Sequence, residues 1–142
     1  MRYLTTLCLT VLLLAAGPAS ARALAGVELP QQVVLQADGS RLVLNGAGVV
    51  RYLFTDVVVG ALYLPQRQRD AVDVLNLPGP ARVQIHVLYS ALTVEDLEQA
   101  WLDCLQGSAE AHRLLPALRD LLALVPDLRR GDVLALDLYP GG

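Results

Sequence analysis

Few side chains in this chain could do chemistry, and they lie far apart. Among 142 residues there are two histidines, His86 and His112, and two cysteines, Cys8 and Cys104. A metal site needs three or four such ligands gathered in space, and this inventory cannot supply a cluster without acids of which no spacing speaks. Both histidines read as ordinary surface residues. Cys104 shares a helical face with Trp101 and reads as a core cysteine, with a reactive thiol as the weaker reading. No G-x-S-x-G nucleophile elbow occurs. Gly46-Ala47-Gly48 opens like a dinucleotide loop, yet the third glycine is missing and a β-pattern follows where a helix is required. Neither a metal nor a cofactor is expected. What remains is one arginine inside an apolar run, Arg51, and aromatic side chains at Tyr52, Tyr63, Tyr89 and Trp101. These line a cleft or fill core and rim.

The elements that must position them begin with the run from Leu44 to Pro65. An Asn-Gly-Ala-Gly turn precedes β-branched and aromatic residues, which predicts two strands broken near Thr55 and Asp56 and closed by Pro65. Upstream, 33–36 and 41–45 flank Ala37-Asp38-Gly39-Ser40 and predict a hairpin. Residues 70–77 predict a short helix stopped by Pro78-Gly79-Pro80. Arg82, Gln84 and His86 alternate with Val83, Ile85 and Val87, the signature of a half-buried strand. Thr93-Val94-Glu95-Asp96 is a capping pattern opening a helix to Gly107, with Leu97, Ala100, Trp101, Cys104 and Leu105 on one face. A second helix over 109–125 carries a leucine stripe and Pro116, which kinks it or starts its better half. Residues 132–139 predict a last strand with Leu134, Leu136 and Leu138 on one face. Strands and helices that segregate in this way predict an α+β domain, an antiparallel sheet with helices packed on one face.

Leu44-Asn45-Gly46-Ala47-Gly48-Val49 and Gly60-Ala61-Leu62-Tyr63-Leu64, at this separation, resemble the core motif of chalcone-isomerase-like proteins. The resemblance implies that family's open-faced β-sandwich and a cleft over the sheet. In its catalytic members an arginine directly after the glycine turn steers a phenolate into attack on an enone, an electrostatic role. A threonine on the next strand and a tyrosine and asparagine on a helix assist. Carried over residue by residue, the arginine position is Val50, the threonine position Val58, and the helix positions Val94 and Trp101. Each is apolar here. Arg51 is one residue late, and side chains alternate across a strand, so it faces the other way unless a bulge at Val49-Val50 turns it back. The ligand-lining set implied is Asn45, Arg51, Tyr52, Val58, Tyr63, Tyr89 and Trp101, with Arg51 the one catalytic candidate.

The first residues read as an address. Arg2, an apolar run from Leu4 to Ala16, and Ala-x-Ala sites ending at Ala21 and Ala23 form a signal-peptide pattern. The run is shorter than the roughly 20 residues of a spanning helix, so no stable membrane insertion is expected once it is removed. Residues 24–142 then form one domain in a periplasmic or secreted protein. Cys104 would be its single cysteine, leaving no intramolecular disulfide. The formal net charge is −3 and lysine is absent, which offers no electrostatic footprint for nucleic acid.

Tyr139-Pro140-Gly141-Gly142 looks like a turn without its return strand. The expectation is a domain whose C-terminal part is missing and whose last strand is an open edge. Apolar residues at the catalytic positions favour a carrier of a small apolar or aromatic ligand, such as a fatty acid. An intramolecular lyase using Arg51, or a scaffold with a packed cleft, are the alternatives. The oligomeric state is not legible.

Overall fold

The computed structural model describes residues 21–105 and 111–141. The leader, the helix stop at Gly107 and the side chains of Cys104 and His112 lie outside the described set. The elements in order are β1 (Arg22–Leu24), β2 (Val27–Leu29), β3 (Gln32–Val34), β4 (Arg41–Tyr52), β5 (Thr55–Leu64), α1 (Ala71–Asn76), β6 (Ala81–Val87), β7 (Ala91–Leu92), α2 (Val94–Leu105), α3 (Ala111–Leu122), β8 (Leu128–Arg129) and β9 (Val133–Leu138).

Five strands form an antiparallel sheet in the order β3-β4-β5-β6-β9, and β1–β2 and β7–β8 are small separate ribbons. The long β4–β5 hairpin organises the sheet. It reverses at Leu53-Phe54, two residues before the break expected at Thr55 and Asp56. Leu53 adopts φ 55° there, a left-handed conformation that a leucine rarely takes. The turn therefore carries none of the Asn-Gly chemistry that usually marks one.

The hairpin holds two bulges, one on each strand. Leu44 pairs with Tyr63 and Gly46 with Leu62, which leaves Asn45 as the extra residue on β4. Val50 pairs with Val58 and Arg51 with Asp56, which leaves Val57 extra on β5. The two bulges offset one another, so the register at Arg51–Asp56 and Tyr52–Thr55 is the same as at Val43–Leu64 and Leu44–Tyr63. The bulge at Val49-Val50 that would turn Arg51 back is absent; Val49 and Val50 pair regularly with Val59 and Val58.

Each face of the sheet has its own core. On one side Leu42, Leu44, Val59, Ala61 and Tyr63 pack with Leu29 and Leu35 under the β1–β2 ribbon. That ribbon turns at Ala25-Gly26, both with positive φ, the geometry of a two-residue hairpin loop. On the other side Val87 packs with Leu92, Leu97, Leu122, Val125 and Leu128, and Val58, Trp101 and Leu134 close around them. The two long helices, α2 and α3, thus cover one face, as the segregated pattern predicts.

The helix starts follow from local chemistry. Asp70 Oδ1 accepts from the Val72 amide at 2.8 Å and caps α1. At α2 the Asp96 amide donates to Thr93 Oγ1 at 3.2 Å while Asp96 Oδ2 accepts from the Thr93 amide at 3.0 Å. This is a reciprocal capping box with aspartate in the acidic position. Pro116 lies inside α3, so the helix neither starts nor stops at it.

Candidate functional site

The face of the sheet turned toward the helices is apolar along its length. Three cross-strand rows define it. Val50, Val58 and Val87 are successive partners. Gly48, Gly60, Ile85 and Leu134 form the next row, and Gly46, Leu62, Val83 and Leu136 the third. The helices cover Val58 and Val87 of the first row, while Val50 stays more than half exposed. The positions that the resemblance assigns to catalysis meet there: Val58, Val94 and Trp101 pack around one cluster, and Val50 is the strand partner of Val58. Val58, Val94 and Trp101 pack together here while Val50 is exposed, and the three valines offer no side-chain hydrogen-bond donor.

Beyond the helices, Gly46, Gly48, Gly60, Leu62 and Val83 line an open depression of about 390 Å³. Three of these five lack side chains, and a Cβ built at any of the three glycines meets nothing within 4 Å. The missing side chains make the trough, in the way that strand glycines mark a close approach to something else. Ala47 and Ala61 contribute to the lining while belonging to the core on the opposite face. No lining residue is ionisable.

The individual candidates sit in four different settings. Asn45 is the bulge residue, and its Oδ1 accepts from the Gln68 amide at 2.7 Å, pinning the loop that follows β5. Arg51 is 66% exposed and ion-paired through Nε to Asp56 Oδ1, at the end of the hairpin and outside the trough. Tyr52 is 73% exposed beside the turn. Tyr63 is fully buried in the opposite-face core, and its hydroxyl finds no hydrogen-bond partner among the described residues. Burial pushes its phenol up. Tyr89 is exposed, and its amide bonds to the Val57 carbonyl at the hairpin end of the sheet. Val58 and Trp101 lie in the helix-side core. The candidates therefore do not converge on one cleft. The trough glycines went unassigned as site residues, although Gly46, Gly48 and Gly60 belong to the motif itself.

Two polar groups on the far face are structural. Burial lowers the pKa of His86, whose ring lies 3.3 Å from Gln84. Arg82 pairs with Asp137 across β6 and β9 through two hydrogen bonds of 2.6 and 2.8 Å. Among the described residues no three His, Cys, Asp or Glu side chains come together as a metal site. No described helix is long and apolar enough to cross a membrane.

A family model described as chalcone isomerase-like matches residues 21–142. No curated protein sequence matches the chain. Among solved structures it is similar to a fatty-acid binding protein of Arabidopsis thaliana. That similarity has 18% identity and a TM-score of 0.50, covering 78% of this chain and 74% of that one. A likeness at this identity concerns the fold.

Proposed function

Since the chain belongs to the chalcone isomerase-like family, we propose that it is a non-catalytic carrier of a small apolar molecule of the fatty-acid type, held on the glycine-floored trough. The observation that carries this reading is the trough itself, an apolar surface that Gly46, Gly48 and Gly60 leave open. The fatty-acid binding protein with a similar fold supports the ligand class. The valines at Val50 and Val58 speak against the isomerase chemistry of the catalytic members. Arg51, engaged with Asp56, supplies no free cation to the trough.

The carrier would act in the periplasm or outside the cell, as the leader pattern suggests. Of the two cleavage positions, the one after Ala21 leaves β1 whole, whereas cutting after Ala23 removes residues paired with Leu29 and Glu28.

Titration with a fluorescent fatty acid, alongside chalcone turnover followed by absorbance, tests the reading. Saturable binding without turnover is expected. Gly60→Val puts an isopropyl group on the trough floor and should weaken binding about tenfold or more, since about 1.4 kcal/mol of lost contact is a factor of ten. Turnover that disappears in Arg51→Ala would overturn the proposal in favour of an intramolecular lyase.

A further inference from the structure

The end of the sheet away from Pro65 carries an apolar cap that the trough does not use. Tyr52, Leu53 and Phe54 are consecutive at the hairpin turn, Leu53 79% exposed and Phe54 fully so. A second segment brings a fourth side chain to the same end. Val87 pairs with Val58, and the Leu88 and Tyr89 amides both bond to the Val57 carbonyl, which leaves Tyr89 exposed beside the hairpin. The next loop is tied in through the Arg130 amide to the Ser90 carbonyl and the Gly131 amide to the Val87 carbonyl.

Charges around this cap balance. Arg51 is paired with Asp56. Exposed Arg129 and Arg130 sit among Asp127 and Asp132, and Asp132 accepts from the Arg129 amide at 2.7 Å. Three cations thus meet three carboxylates, within a chain that is acidic as a whole. The cap is small. Three residues on a turn and one beside it are too few for the roughly 800 Å² per partner of a stable protein interface. Tyrosine, phenylalanine and leucine on a neutral rim are instead the composition that settles at the boundary between headgroups and acyl chains. Leucine at φ 55°, where glycine or asparagine would be relaxed, holds an apolar side chain outward at some strain.

We propose that this hairpin end docks reversibly on a lipid bilayer, inserting Leu53 and Phe54 while Tyr52 and Tyr89 sit at headgroup depth. The docking is apolar rather than electrostatic, so zwitterionic vesicles suffice and salt does not release the protein. It is independent of the trough, because the vesicle measurement needs no ligand.

The test uses the full chain with phosphatidylcholine vesicles, plain and with acyl chains brominated at different depths. In Phe54→Trp the added indole should shift to the blue on vesicle addition and be quenched by shallow bromines beyond the emission of Trp101. Co-sedimentation should survive raised salt. Leu53→Asp with Phe54→Asp should weaken co-sedimentation about tenfold or more, and circular dichroism checks that the exposed substitutions leave the fold intact. An added indole that stays water-exposed and unquenched on vesicle-bound protein overturns the proposal, because another segment then holds the membrane. Absence of vesicle binding, or release by salt alone, overturns it as well.

Discussion

Tyr63 is the residue whose type and position disagree most. The motif places a tyrosine at a point where the strand alternation sends it into the apolar core beside its strand partner Arg82, and its hydroxyl goes unpartnered there among the described residues. An unmatched buried hydroxyl costs about 1–3 kcal/mol of desolvation. Tyr63→Phe keeps the ring and removes that cost, so the thermal midpoint should rise, by about 1 kcal/mol of stability in denaturant titration. A fall would mean that the hydroxyl is satisfied in solution. Arg51 is the converse case, an arginine in a motif that carries little. Its pair with Asp56 is exposed, and such pairs contribute about 0–1 kcal/mol. Arg51→Ala should leave both stability and fatty-acid affinity within that margin. Single residues are thus a poor guide to the trough: side chains with chemistry point to Arg51 and the aromatics, whereas three of its seven lining positions are glycines, whose contribution is space.

At the scale of elements, patterning carried most of the fold. The capping pattern at Thr93, the alternation from Arg82 and the leucines of β9 each report a local rule that tertiary packing left standing. The failures have local causes too. The β1–β2 ribbon was hidden because Ala-x-Ala residues also read as a cleavage site. The hairpin turn was misplaced because Leu53 gives no turn signal. The bulges cannot be read from strand spacing, since one on each strand leaves the pairing register at the two ends of the hairpin the same. Asn45 makes the first bulge useful by holding the Gln68 amide. Asn45→Ala leaves that amide without its acceptor, and a loss of about 1–2 kcal/mol is expected. Hydrogen exchange should speed up locally at Gln68 before any change appears at β4.

For the whole molecule, acid is the informative perturbation. The Arg82 hydrogen bonds hold the Asp137 carboxyl below the usual carboxylate range, and hydrogen bonds from Thr93 do the same for Asp96. A carboxyl with a lowered folded-state pKa binds its proton more readily in the unfolded chain. Its contribution is therefore complete above the ordinary carboxylate range, about pH 4, and is lost as pH falls through the folded value. Thermal midpoints should drop on acidification below that range, and the drop should be shallower in Arg82→Gln, where Asp137 loses its partner. An unchanged acid limb would show that the strap between β6 and β9 adds nothing. The two cores separated by the sheet have a consequence in time. Every buried member of the first precedes residue 64, and every buried member of the second follows residue 86. As the chain emerges from its N-terminus, from the ribosome or from an export channel, the first nucleus can close before the helices have followed, and the sheet waits with one oily side bare. Chains stalled with β5 fully outside the exit tunnel should already resist protease in β4 and β5, and in that interval the waiting side is what a chaperone would grip.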